Sequence, residues 1–125
     1  FWSTWLAERH QLPAVLVNPA VKPSRFMPGY VGQELRPYSG EMQTYRLQPS
    51  DVDTMAQLEQ SLSQPLSGRY WLLAQRGDET LDCREAEQFY AGQRQTVEDG
   101  GDHSFQGFAR YTAALVDFLF PQNTI

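Results

Sequence analysis

Lysine is almost absent from this chain. Lys22 is the only one, and the ten Lys and Arg together form no run against 15 Asp and Glu. The formal net charge of −5 leaves no basic face for a phosphate backbone, which argues against nucleic acid as a partner. A single cysteine, Cys83, cannot close an internal disulfide and fits a reducing, cytoplasmic compartment. No apolar run approaches the ~20 residues of a membrane helix, and no basic segment leads into an apolar one, so the chain reads as soluble and without a membrane span. The two histidines, His10 and His103, lack His-x-His, His-x-x-x-His or cysteine partners at ligand spacing, so no metal site is expected. No organic cofactor is implied either. His10, near a helix end, reads as a surface residue favoured by the helix dipole.

What is present suits one domain. With 41% apolar and 13% aromatic residues, 125 residues can build a core, and residues 1–125 are read as a single domain. The opening Phe1-Trp2-Ser3-Thr4-Trp5-Leu6 already has apolar residues at helical spacing with no cap ahead of them, so it reads as starting inside an element. The expectation is a C-terminal portion of a longer protein, with an N-terminal segment missing from this sequence.

Residues 1–10 read as a helix with Trp2, Trp5 and Leu6 inward, ended by Leu12-Pro13 because the residue before proline is pushed out of the α region. Ala14-Val15-Leu16-Val17 is a continuous apolar run, as in a parallel strand buried on both faces. Residues 24–48 are broken by proline and glycine and carry Phe26, Met27, Tyr30, Tyr38, Met42 and Tyr45. They read as a lid or excursion over an apolar pocket, or equally as a long loop packed on its own domain. A helix opens near Pro49-Ser50-Asp51, with Val52, Met55, Leu58 and Leu62 inward. Tyr70 to Gln75 is the second apolar strand, 82–91 a helix with Ala86, Phe89 and Tyr90 inward, and 93–98 a shorter, more polar edge strand. Phe105, Phe108, Tyr111, Leu115 and Phe118 predict a final helix over 107–120.

Helices alternating with strands imply an α/β fold: three-layer α/β/α, a parallel sheet with helices on both faces, and sites beyond the carboxyl ends of the strands. Asp78 and His103 each follow a strand, so both fall on that edge. An acid that accepts from one imidazole nitrogen leaves the other to exchange protons with a substrate. Asp78, Glu79 and Asp82 compete for the role. Asp82 reads better as a helix N-cap with Glu85 completing a capping box, and Glu79 as solvent-facing. Asp78, first after the strand and following Gly77, is the candidate, and Gly100-Gly101 gives His103 a sharp turn.

The segments Leu72-Leu73-Ala74-Gln75-Arg76-Gly77-Asp78-Glu79-Thr80-Leu81-Asp82 and Gly100-Gly101-Asp102-His103-Ser104-Phe105-Gln106-Gly107-Phe108 resemble the acid and histidine loops of α/β-hydrolases. More narrowly they resemble small bacterial YqiA-like esterases, as does Leu12-Pro13-Ala14-Val15-Leu16-Val17-Asn18-Pro19-Ala20-Val21-Lys22-Pro23. The likeness runs from residue 1 to about 120. It implies an α/β-hydrolase-like fold whose N-terminal strands and nucleophile elbow are missing here, with Asp78 as orienting acid and His103 as general base. The implied reaction is hydrolysis of a small-molecule carboxylic ester or acyl thioester by a Ser-Asp-His triad whose serine lies upstream of residue 1. No G-x-S-x-G occurs in this sequence. Ser39, Ser63 and Ser67 lie in loops or at helix ends, and Ser104 is beside the histidine.

Without its nucleophile strand the chain alone is expected to be inactive, and unstable or self-associating as a homo-oligomer. Cys83 at a helix N-terminus, where its pKa would fall, offers a thiol alternative to the serine, although a structural thiol explains it more simply. The non-enzyme alternative is a non-catalytic α/β interaction module that binds a partner through the aromatic 24–48 segment. It requires that function survive His103→Ala.

Overall fold

The computed structural model of the chain describes residues 1–122. The elements in chain order are α1 (Trp2–His10), β1 (Ala14–Val17), the short strands β2 (Glu34–Leu35) and β3 (Tyr45–Arg46), α2 (Pro49–Gln60), β4 (Tyr70–Gln75), α3 (Cys83–Phe89), β5 (Arg94–Glu98) and α4 (Thr112–Leu119). Turns of 3-10 helix lie at Pro23–Arg25, Met27–Tyr30 and Phe108–Tyr111. Two compact units result: Phe1–Val21 together with the chain from Ser63 onward, and Lys22–Leu62.

In the first unit, six consecutive residues with little polar surface, Tyr70 to Gln75, form the central strand β4. It pairs in parallel with β1, from Ala14↔Tyr70 to Val17↔Leu73, and with β5, from Trp71↔Arg94 to Gln75↔Glu98. All six β4 residues are buried. The two-residue period of the strand sends Tyr70, Leu72 and Ala74 into one cluster with Ala7 of α1 and Ala86 and Tyr90 at α3. Trp71 and Leu73 go into a second cluster with Phe105 and with Leu115 and Phe118 of α4. Helices therefore cover both faces of a parallel three-stranded sheet, which is the α/β arrangement that the alternation implies. Trp71 donates its Nε1–H to Thr96 Oγ1 at 3.0 Å and meets Phe118 edge-on at 5.7 Å. Burying an indole of this size is worth ~4–6 kcal/mol before the entropy of ordering it.

Several local expectations are corrected. In α1 the buried residues are Thr4 and Ala7, while Trp2 is 50% and Leu6 46% exposed. Thr4 bonds the Tyr90 hydroxyl at 2.7 Å, and the small Ala7 lets the helix approach the sheet. Trp2 and Trp5 instead pair edge-to-face on the outer side at 5.9 Å, with the Arg9 guanidinium over Trp5. β1 is an edge strand of the described sheet. Ala14 and Leu16 are buried, but Val15 is half-buried and Val17 is 37% exposed, so only β4 is fully buried on both faces. The final helix is split. A 3-10 turn over Phe108–Tyr111 follows Gly107 at φ 74°, and α-helix runs only from Thr112 to Leu119.

In the second unit, β2 and β3 pair antiparallel, a hairpin inside the stretch read as lacking regular structure. Gln48, rather than the Ser50 or Asp51 that follow, caps α2, and the Asp51 carboxylate accepts the Gln48 N–H at 2.7 Å. Val52, Met55, Leu58 and Leu62 are all half-buried, and no residue of α2 is fully buried. Glu59 accepts both the N–H and the hydroxyl of Ser24, at 2.7 and 2.6 Å, tying the first 3-10 turn to the helix.

Candidate active site

Parallel strands end on one edge, and here the pairing continues past them. Arg76 N–H donates to Glu98 O at 2.9 Å and Gly77 N–H to Gly100 O at 2.8 Å, so the loops leaving β4 and β5 run side by side. Closeness demands glycine: a Cβ on Gly77 would overlap the carbonyl of Gly101, and one on Gly101 would overlap the Gln75 amide. Gly101 also sits at φ 72°, where side chains with a Cβ are strained.

This approach brings Asp78 and His103 together. His103 Nδ1 lies 2.9 Å from Asp78 Oδ2, with the Asp78 side chain 2% and the imidazole 42% exposed. The second Asp78 oxygen accepts the N–H groups of Thr80 and Leu81 at 2.8 and 2.9 Å. Burial alone would raise the pKa of this carboxyl, but the His103 bond and the two backbone donors outweigh it and hold it below its usual value. Asp78 is thus kept as an acceptor that fixes Nδ1 as the protonated ring nitrogen. No hydrogen bond engages Nε2 among the described residues, on a side chain that is 42% exposed. A half-exposed imidazole oriented by a buried carboxylate, with its far nitrogen unengaged, can take and return a proton.

The remaining acids are assigned by their bonds. Asp82 is the N-cap of α3, accepting Arg84 N–H at 3.0 Å, while Glu85 gives its backbone N–H to the Asp82 carbonyl. Glu79 is exposed yet not idle. Its Oε2 accepts the backbone N–H of His103 at 3.1 Å, a role that the solvent-facing reading did not include. Cys83 opens α3, but burial and then its contact with the Glu87 carboxylate push its pKa up, opposite to the effect expected of a helix N-terminus. That opposes a reactive thiolate. His10 is exposed at the end of α1. Ser67 donates to Glu8 at 2.7 Å at the amino end of β4, the sheet edge opposite His103. Ser104 is exposed, and its N–H is held by Asp102.

Three residues that the sequence offers only as strand ends build the floor of the site. Asn18 closes β1, and its amide donates to the carbonyls of Asp102 and His103. Gln75, 2% exposed, donates to Glu98 and to the Gln106 carbonyl, and accepts N–H groups from Asp102 and Gln106. Glu98 also takes bonds from Arg110 and from the Tyr111 hydroxyl, and these with Gln75 lower its pKa to about 2. The loop then passes through Phe105, buried at φ 61°, a left-handed conformation unusual for a bulky side chain. A polar side chain at the carboxyl end of a strand is the one sequence signal these residues share. Among the described residues no group of three or more His, Cys, Asp or Glu could hold a metal ion, and no helix is long and apolar enough to cross a membrane. Residues 1–120 match the family model described as Uncharacterised protein family (UPF0227).

Proposed function

The chain belongs to the UPF0227 family, and from that premise we propose that it carries the acid and base of a serine-type ester hydrolase. The observation that supports this reading is the pairing of a buried carboxylate with an accessible imidazole, Asp78 Oδ2 to His103 Nδ1 at 2.9 Å, on the carboxyl edge of a parallel sheet. Asp78 orients the ring. His103 Nε2 takes the proton of a serine hydroxyl as its oxygen attacks the carbonyl carbon of an ester or thioester, then gives that proton to the departing alcohol or thiol. Water deacylates the serine with the same base. The nucleophile belongs to a segment N-terminal to Phe1, where the likeness to α/β-hydrolases puts the serine elbow.

The test is covalent labelling of the intact protein with a fluorophosphonate, followed by mass mapping. The expected result is one adduct on a serine upstream of Phe1, lost in His103→Ala, with esterase turnover reduced ~10³-fold or more in that variant. An adduct on Ser39, Ser63, Ser67 or Ser104 would overturn the assignment of the nucleophile. Absence of any adduct, with partner binding that survives His103→Ala, would replace the hydrolase by an interaction module.

A further inference from the structure

His103 is held at three points, and only one is its ring. Nδ1 meets Asp78, while both of its own peptide groups are bonded by side chains: the N–H by Glu79 Oε2 at 3.1 Å and the carbonyl by Asn18 Nδ2 at 3.0 Å. With the ring 42% exposed, core packing does not fix it, so its position derives from these bonds. Asp78 and Glu79 come from the loop after β4, whereas Asn18 is the anchor delivered from β1, 85 residues away in sequence.

Its chemistry matches that task closely. Asn18 is 6% exposed, so its amide must find protein partners. Both Nδ2 donors are used, on Asp102 O at 2.9 Å and His103 O at 3.0 Å, and Oδ1 accepts the Gln75 N–H at 3.0 Å. The backbone N–H meanwhile donates to Leu73 O. The residue sits at φ 41°, a left-handed region that asparagine, aspartate and glycine tolerate best. Only a short side chain with one acceptor and two donors satisfies all three partners at once.

We infer that Asn18 is a positioning residue, whose amide clamps the end of β4 to the His103 loop and so keeps the imidazole in line with the Asp78 carboxylate. This inference rests on the Asp78–His103 pair being the working pair of the proposed hydrolase, but its primary test needs neither substrate nor nucleophile.

The decisive variant is Asn18→Asp. It keeps the shape, the tolerance for φ 41° and the acceptor for Gln75, and replaces the two donors by a carboxylate oxygen that faces the Asp102 and His103 carbonyls. Asn18→Gly, which keeps the backbone conformation and drops the amide, is the second. The imidazole nitrogens of His103 are read by long-range proton–nitrogen NMR in the intact protein, with His103 signals identified by their loss in His103→Gln. In the unsubstituted protein a single tautomer with a slowly exchanging Nδ1–H is expected. In both variants the expected result is mixed tautomers and loss of that proton signal, while the amide pattern of β4 and β5 stays unchanged. In the esterase assay, turnover falls about 10- to 100-fold with KM within about twofold. Retention of the single tautomer in either variant overturns the inference. So does loss of the sheet's amide pattern in both, since Asn18 would then be needed for folding alone. A protein that takes no serine-directed probe, yet loses the fixed tautomer in Asn18→Asp, would retain the clamp and refute the hydrolase instead.

Discussion

Gly100 and Gly101 share a φ of 72°, yet they do not carry the same constraint. Open space surrounds the Cβ position of Gly100, whereas that of Gly101 falls on the Gln75 amide. Gly100→Ala should therefore cost only the left-handed strain, ~1–2 kcal/mol. Gly101→Ala adds overpacking worth ~1–3 kcal/mol and should also disturb the His103 loop. Urea denaturation of the two variants checks the order, and equal losses would contradict it. Glu98 makes a second prediction. Bonds from Arg110, then Tyr111 and Gln75, lower its pKa from 4.5 to about 2. Because the folded value lies below the unfolded one, Glu98 contributes stability above about pH 4.5, and that contribution fades as pH falls towards 2. Melting temperatures between pH 6 and pH 2.5 should fall more steeply for the unsubstituted protein than for Glu98→Gln. Parallel curves would show that this carboxylate is not a source of the acid sensitivity. At this scale the sequence was informative about where Asp78 and His103 fall, because each follows a strand and topology puts the ends of parallel strands on one edge. It was silent on Asn18, Gln75 and Glu98. A lone amide or acid closing a strand looks like a boundary, and its partners are fixed only when distant loops meet.

Among the elements, β4 concentrates the packing energy. Trp71→Ala removes a side chain 2% exposed that contacts Phe118, Tyr111 and the Arg94 guanidinium, and should cost ~3–5 kcal/mol. Tyr90→Phe, which removes only the hydroxyl bonded to Thr4, should cost about 1–2 kcal/mol. Thermal unfolding distinguishes the two, and a Trp71→Ala loss no larger than that of Tyr90→Phe would argue that α4 detaches from the sheet readily. The three strands of the sheet were legible from length, β-rich composition and flanking turn residues. The inward face of α1 was not. Trp2, Trp5 and Leu6 share a helical stripe, but so do Thr4 and Ala7, and periodicity shows which residues share a face without showing which face meets the sheet. The 3-10 start of the last helix was hidden for a similar reason, since one turn of either helix places apolar residues alike.

For the molecule as a whole, burial is uneven. Every residue of β4 is buried, whereas between Lys22 and Leu62 none is. Local opening is easiest where few apolar groups are enclosed. Amide hydrogen exchange should therefore be fast throughout Lys22–Leu62 and slowest in β4, and comparable protection in the two would overturn this expectation. The contrast also explains why the composition of residues 24–48 said so little: the aromatics that could have formed a core there stay on the surface, with Tyr38 and Met42 almost wholly exposed.

The register of β4 against β5, Gln75 opposite Glu98, gives the Asp78–His103 pair one more property. A slip of one residue between these strands would displace one loop by about 3.3 Å and turn its side chains to the other face of the sheet. At 2.9 Å the pair has no slack for such an error. It is consequently a marker of register: a chain that pairs its strands one step out of place can be compact and still hold no oriented histidine, so the fraction of molecules with a hydrogen-bonded His103 Nδ1–H would count the correctly registered ones in a preparation.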